Sequence, residues 1–428
     1  VTKPLLLFMG PIQSRSGYGD HSRDIISAII KSNEYDVKII PINWGSTPLN
    51  VLTETDDYDI LSKILNDSKL SKQPDIFVHL TVPNEFKRLG KYNIGITAGI
   101  ETTICSVSWL EGLNKMDKII VPSKFSKDVF LKTGYTKKTN GKEVGTLTCT
   151  SPIDVLFEGV DTNIFKKITS LKTNVRRTLN NIDNNFLFLF VGHWLNGDLG
   201  HDRKDVGLLI KTFLSTFKNK NKQPGLLLKT GNNFSYREEA NLLNKINNIK
   251  QSFKSTDKLP KIYLLHGNLT KEEMNELYNH QKVKAHVTFT KGEGFGRPLL
   301  EASMSAKPII SSNWGGQLDF LNPNFAVLLP GKLQQVHKSA VWENVIIPES
   351  SWYYINYTYA SSVLLDVYNN YNNYTHNATL LYNENKNKFN LTLMEEKLIK
   401  LLDNIEKNNN ESEIIIPKLP KLKLKEDK

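Results

Sequence analysis

The sequence offers little sulfur chemistry. Only Cys105 and Cys149 occur in 428 residues, which excludes a disulfide framework or a cysteine-rich zinc site as the organising device. No apolar run approaches the roughly 20 residues that cross a bilayer. The opening stretch to Gly10 is apolar but short, with no long hydrophobic region or small-residue cleavage site behind it, and reads as a first strand rather than a signal peptide. The expectation is a cytoplasmic protein with no transmembrane segment. Sequons such as Asn356-Tyr357-Thr358 and Asn390-Leu391-Thr392 arise by chance in so asparagine-rich a chain and carry no weight. The C-terminal half also lacks an Asp-x-Asp pair at a strand end, so no metal site is read there.

What is present fits a globular chain. Hydrophobic residues make up 39% and charged residues 23%, ordinary proportions for a folded protein. The length exceeds what one core usually supports, so two domains are expected. The net charge of +11 leaves two readings open. One is contact with something acidic, whether nucleotide phosphates, nucleic acid or peripherally an anionic membrane surface; the other is a compositional bias toward lysine and asparagine.

Short apolar runs alternate with helical patterns throughout. Leu5 to Met9, Tyr35 to Ile42, Asp75 to Leu80, Tyr92 to Ile96 and Lys118 to Val121 read as strands, with helices at about His21 to Lys31, Cys105 to Met116 and Lys124 to Lys132. Alternation of this kind predicts a parallel sheet covered on both faces. The polar stretch Thr136 to Thr146 reads as a loop or hairpin insertion. A second series starts with Phe186 to Val191, a continuous apolar run suited to a doubly buried strand. Val206, Leu209, Ile210, Phe213 and Phe217 follow at helical spacing. Further strands are expected at Leu226 to Lys229, Ile262 to Leu265, Ala285 to Phe289, Pro308 to Ser311 and Ala326 to Leu329. Helices at about Tyr236 to Lys250, Lys271 to Asn279 and Arg297 to Ser305 lie between them. From Tyr353 to Leu402 the pattern reads as helical.

The organisation expected is an α/β chain of two Rossmann-like domains facing each other across a cleft. Residues 1–165 form the N-terminal, acceptor-side domain and 166–385 the C-terminal, donor-side domain. Residues 386–410 form a helix crossing back to the first domain. The tail 411–428, with Pro417, Pro420 and five lysines from Lys418 to Lys428, reads either as an electrostatic arm or as a disordered end.

The strongest local signal is the run Glu293, Gly294, Phe295, Gly296, Arg297, Pro298, Leu299, Leu300, Glu301, Ala302. It places a glycine-rich turn between a strand and a helix that has proline in its first turn, where no helical donor is lost. Glycines let a ligand approach the backbone, and free amides at such a turn attract phosphate or sugar oxygens. Two carboxylates flank the turn, Glu293 before the helix and Glu301 within its first turns, so both can face the same cleft. The alternative is a surface turn with two solvated glutamates.

This run resembles the motif E-G-F-G-x-P-x-x-E-A of the family 4 retaining glycosyltransferases (glycosyltransferase group 1), which have the two-domain GT-B fold. By that resemblance Glu293 lies at the donor sugar, Glu301 binds the ribose hydroxyls, and the Gly294, Phe295 and Gly296 backbone holds the sugar or diphosphate. Gly192-His193 and Arg203-Lys204 resemble the basic segments that neutralise the donor diphosphate. His193 stands where arginine is common, and Asp205 replaces the usual glycine. Gly17 and Gly19 resemble a glycine-rich loop near the donor phosphates and acceptor. They do not fit a nicotinamide fingerprint, and a plain strand-to-helix turn is the alternative. Gly99 to Thr102 and Val121-Pro122-Ser123, a serine-capped helix start, resemble the first domain of the same family. No histidine occurs between His79 and His193, although many relatives carry one near the Gly99 position. Glu101 reads either as a polar group of the cleft or as a buried structural partner. Gly159-Val160-Asp161 to Phe165 resembles the interdomain joint, and Asn313 to Gly316 the loop after the second glutamate. The segment from His79 to Trp109 resembles glycosyltransferases encoded by phages or other large viruses.

The resemblance implies a retaining hexosyl- or pentosyltransferase that uses a UDP- or GDP-linked sugar without a metal. Arg203 and Lys204 would stabilise the departing diphosphate, and Glu293 would not act as a nucleophile. The acceptor is a glycan, lipid or protein hydroxyl; modified bases of DNA are a second possibility, and a non-catalytic sugar-nucleotide binder a third.

Overall fold

The computed structural model describes residues 3–55, 57–65, 70–231 and 235–411, with side chains to 403. The lysine-rich segment 412–428, read above as an arm or a free end, lies outside the described residues.

The first unit runs β1 (Leu5–Gly10), α1 (Gly17–Ser32), β2 (Asp36–Pro41), α2 (Tyr58–Leu61), β3 (Ile76–Leu80), β4 (Tyr92–Ile96), α3 (Val107–Leu113), β5 (Lys118–Val121), α4 (Lys124–Lys132), β6 (Gly134–Thr139), β7 (Lys142–Thr148) and β8 (Ile153–Val155). Six of these strands form one sheet in the order β2-β1-β3-β4-β5-β8, with every pairing parallel. Helix α1 begins at Gly17, four residues before the expected start, because the Ser16 side chain accepts from Gly19 N and caps it. The glycines read as a loop therefore open the helix. Strands β6 and β7 form an antiparallel ribbon whose turn, Asn140-Gly141, has φ of 51° and 76°; Asn-Gly is favoured there because both positions need φ above zero.

The second unit runs α5 (Asn174–Asn180), β9 (Leu187–Val191), α6 (Val206–Phe217), β10 (Gly225–Thr230), α7 (Tyr236–Gln251), β11 (Ile262–His266), α8 (Lys271–Asn279), β12 (Val283–Val287), α9 (Arg297–Ser303), β13 (Ile309–Ser312), β14 (Val327–Leu329), β15 (Gly331–Gln335), β16 (Ser351–Ile355), α10 (Tyr357–Asn369), α11 (Asn372–Lys388) and α12 (Leu391–Glu411). Its sheet is again parallel, in the order β11-β10-β9-β12-β13-β14. Tyr353 to Ile355 are strand rather than helix, because β16 pairs antiparallel with β15 outside the main sheet.

In each sheet the strand order reverses once, between β1 and β3 in the first and between β9 and β12 in the second. Open parallel sheets bind ligands beyond the carboxyl ends of the strands at such a reversal. The units share a continuous apolar core that joins Phe8 and Ile25 to Leu189, Phe295 and Leu398. The joint is a crossing of two chain segments, where Val160 N donates to Phe389 O and Leu391 N to Val160 O, each at 2.9 Å. Helix α12 then returns to α1, with Lys31 and Glu395 paired at 2.9 Å.

Candidate active site

The second sheet's reversal lies between β9 and β12, and the segments leaving these two strands carry the basic pair and the first glutamate. Lys204 Nζ lies 2.5 Å from Glu293 Oε1, and Arg203 Nη1 lies 3.3 Å from Glu293 Oε2 and 2.8 Å from Gly292 O. Glu293 is 7% exposed. Burial alone would raise its carboxyl, but Lys204 and Arg203 outweigh that effect and hold it below its ordinary value. The carboxylate is thus ionised and neutralises a cationic pair. Arg203 also reaches Glu101 of the first unit at 3.2 Å, so an ion pair links the two units here.

Arg203 and Lys204 precede α6. They sit in a turn, and the helix starts at Val206 after Asp205, whose φ is +52°. Glycine adopts this left-handed backbone without cost, while aspartate does so uncommonly. Asp205 is held there by its side chain, which accepts from Tyr357 Oη at 2.5 Å and pairs with Lys291 Nζ at 2.8 Å. Lys291 Nζ also donates to Asp202 O, and its backbone N to Arg203 O. One buried lysine therefore ties the turn that carries Arg203 and Lys204 to the segment that carries Glu293.

Glycines are needed where the units meet. Gly296 has φ of +97°, and a Cβ at Gly294 would lie 2.2 Å from Ala98 O of the first unit. The Gly294 carbonyl accepts from Ser123 Oγ at 2.5 Å and Ser126 Oγ at 3.3 Å. Ser123 caps α4, as its V-P-S setting suggested, and reaches across the cleft as well. Phe295 is buried against Phe320; it contributes packing, and its backbone lies in the turn.

Glu301 lies two helical positions past Leu299 on α9, and Arg297 Nε reaches its Oε1 at 3.2 Å. Burial pushes the Glu301 carboxyl up to about 7, with Asp20 acting the same way and Arg297 opposing. Arg297 also pairs with Asp24 of α1 at 2.7 Å and approaches Glu158 of the joint at 3.9 Å. The second glutamate thus faces a polar cluster drawn from both units, separate from the Glu293 cluster.

His193 is exposed after β9. Desolvation, with Lys204 and Lys229 adding to it, pushes its imidazole down to about 4. Gly17 opens α1 with no atom near the position of a Cβ, whereas a Cβ at Gly19 would lie 2.1 Å from Ser14 O. Gly19 is therefore a packing glycine. Two residues escaped the sequence reading. Lys229, at the end of β10, is 8% exposed, and among the described residues its ammonium has one partner, Gly231 O at 3.4 Å. Burial pushes it down to about 8. His286 of β12 is buried without a hydrogen-bond partner among the described residues. The interruption of an apolar strand by each polar residue was the available signal. Among the described residues no group of histidine, cysteine and carboxylate side chains is placed to hold a metal, and no helix is long and apolar enough to cross a membrane.

Two parallel six-stranded units that close on each other and are recrossed by the last helix define the GT-B fold. Residues 247–341, which contain β12, the glutamate turn and α9, match the family described as Glycosyl transferases group 1. Among solved structures the chain is similar to sucrose-phosphate synthase from Thermosynechococcus elongatus, at 12% identity over 95% of this chain and 100% of that one, TM-score 0.63. It is also similar to a glycosyltransferase from Rickettsia africae, at 15% identity over 95% and 100%, TM-score 0.61. A third is the Anabaena HepE protein in complex with UDP-glucose, at 12% identity over 94% and 100%, TM-score 0.54. No curated protein matches the sequence.

Proposed function

We propose that the chain is a retaining glycosyltransferase that moves a sugar from a UDP- or GDP-linked donor to an acceptor hydroxyl. The observation that carries this reading is the meeting of Glu293 with Lys204 and Arg203 at the second sheet's reversal, within the segment that matches Glycosyl transferases group 1. The UDP-glucose bound by the HepE neighbour agrees with it.

In this reading the donor diphosphate displaces the Glu293 carboxylate from Lys204 and Arg203. Glu293 turns to the sugar, and Glu301 accepts from the ribose hydroxyls. The bond from the anomeric carbon to the phosphate oxygen breaks as the acceptor oxygen attacks from the same face. The acceptor proton passes to the departing phosphate oxygen. Lys204 and Arg203 neutralise the negative charge that develops on that oxygen, in place of a divalent ion, and preorganised cations of this kind lower the barrier. Closure of the units around Gly294 excludes water.

A second reading, transfer to hydroxylated bases of DNA, has one observation in its favour. The β6–β7 ribbon is almost wholly exposed and carries Lys137, Lys138 and Lys142, and a two-stranded ribbon fits a major groove. Radiolabelled UDP- and GDP-sugars offered to glycan, lipid, protein and DNA acceptors separate the two. Label on a glycan, lipid or protein with unchanged anomeric configuration is expected; label on DNA selects the second reading. Inversion, or no turnover of any donor, overturns the proposal.

A further inference from the structure

The insert that carries β15 and β16, residues 331–355, stands outside both main sheets, and the site built around Glu293 leaves it without a role. It has a small core of its own, in which Val336 and Ala340 pack with Trp352 and Tyr354. One side of it is fastened to the first unit. Thr103 N donates to Ser351 O at 2.8 Å, Ser351 N to Thr103 Oγ1 at 3.0 Å, and Ser106 Oγ to Asn344 O at 2.9 Å. Another side lies against the turn that carries the basic pair. There His337 stacks on His201, two residues before Arg203, with ring centroids 3.9 Å apart and planes tilted by 15°. We propose that His337 is a positioning residue whose ring holds the turn from Asp198 to Lys204, so that Arg203 and Lys204 meet a bound diphosphate together. The proposal rests on the glycosyltransferase reading and adds to it a residue that acts through the basic pair rather than on the ligand.

The turn needs such a brace. Between β9 and α6 the chain forms neither helix nor strand, and Gly197, Gly200 and Asp205 have φ of 144°, 82° and 52°. A segment without a hydrogen-bonded ladder is ordered chiefly by what packs against it. Lys291 grips one end of the turn through the Asp205 carboxylate and Asp202 O. The insert supplies the contacts at the other end. Asp198 N donates to Ser339 Oγ at 3.0 Å, and Tyr354 Oη lies 3.2 Å from His201 Nδ1. The Lys291 ammonium lies 4.6 Å from the centre of the Tyr354 ring, so the two sets of contacts meet at one tyrosine.

The stack is one of neutral rings. Ser339 N donates to His337 Nδ1 at 3.2 Å, which places the His337 proton on Nε2. The Ser339 hydroxyl, 2.8 Å from the same nitrogen, donates to it while accepting from Asp198 N. Burial, with His337 and Lys291 adding to it and Asp198 opposing, holds the His201 imidazole below its ordinary value. An acidic brace would pair with Arg203 or Lys204 and compete with the donor phosphates. Flat neutral rings in contact fix the backbone instead, and they leave both cations to Glu293 and the ligand.

H337A and H337F separate the ring from the rest of the side chain, because neither keeps the Nδ1 acceptor and only the second keeps an aromatic face. Calorimetry of the full chain with inorganic pyrophosphate reads the basic pair without turnover. H337A is expected to bind it about fivefold more weakly than the wild type, the scale of one aromatic contact, and H337F within about twofold of the wild type. H201A removes the other ring of the stack and should lose as much as H337A, and H201A/H337A no more than either. With a productive donor, kcat should follow the same order, while the acceptor KM moves less than about twofold in every variant. Equal affinity in H337A and the wild type overturns the proposal. So does a loss in H337F as large as that in H337A, which would assign the effect to the Nδ1 acceptor, and so do additive losses in the double variant. A wild-type chain that binds pyrophosphate but turns over no nucleotide sugar defeats the glycosyltransferase reading alone, and the affinity ratios still decide the role of His337.

Discussion

Lys291 Nζ lies 2.8 Å from Asp205 Oδ1, and neither side chain has exposed surface. The pair joins the turn that presents Arg203 and Lys204 to the segment that presents Glu293. Removing one partner of a fully buried pair leaves an uncompensated charge, which costs about 3–5 kcal/mol, whereas removing both leaves none. K291M is expected to lower unfolding stability by that amount. K291M/D205G should recover most of it, since glycine suits the +52° backbone at position 205. Urea denaturation followed by tryptophan fluorescence checks this; equal stability of the single and double variants contradicts it.

Lys204 offers its charge where the departing diphosphate gains charge in the proposed mechanism. Lys204→Ala should lower kcat by roughly 10²–10³, the scale set by one transition-state contact, and raise the donor KM far less. Glu301→Ala should show the opposite split and weaken donor binding most. Steady-state kinetics with the productive donor measure both, and unchanged constants in both variants contradict the assignment.

The Glu301 carboxyl, raised to about 7 chiefly by burial, gives donor binding a pH dependence. Below that value the group is protonated and offers fewer acceptor lone pairs to ribose hydroxyls; above it the carboxylate accepts them. UDP or GDP affinity should therefore rise between pH 6 and pH 8, by at most about tenfold per pH unit for one proton. Glu158, also raised by burial to about 7, lies in the same cluster, and the ligand phosphate titrates too. Calorimetry on Glu301→Gln isolates the effect, because both other groups remain. A slope unchanged in that variant contradicts the role.

Much of this was legible in the sequence, and the remainder has identifiable causes. Tyr92–Ile96, Lys118–Val121, Lys124–Lys132 and Lys271–Asn279 fall where periodicity puts them, because each is bounded by a cap or turn residue. Ser123 and Thr270, for example, both cap helices through their side chains. The early start of α1 was hidden by Gly17 and Gly19, whose turn character outweighed the Ser16 cap. Tyr353 and Tyr354 read as helical because β16 has a partner, β15, that only the folded chain supplies. At the site, the glutamate turn was visible as a strand-turn-helix pattern, and the basic pair only through the family resemblance that the turn carries. The departure from glycine at Asp205 was visible too, but its partner Lys291 lies 86 positions away, as the numbers 205 and 291 give. Such a pair depends on tertiary packing. The bridge from Arg203 to Glu101 depends on how two units close, which no local pattern encodes.

That closure is itself testable. A methyl group at position 294 would fall 2.2 Å from Ala98 O, a contact made only when the units meet. Gly294→Ala should leave each unit folded but hold the cleft open. The expected results are a larger radius of gyration in X-ray scattering and a kcat reduced at least about tenfold, since closure aligns the reacting groups. A variant as compact and as active as the wild type contradicts this role for Gly294.

The most direct test is the structure of the chain crystallised with UDP or GDP. The diphosphate should lie within hydrogen-bond distance of Lys204 Nζ and Arg203, with the Lys204–Glu293 pair broken and Glu301 at the ribose. A nucleotide bound elsewhere, with Glu293 still paired to Lys204, would contradict the account.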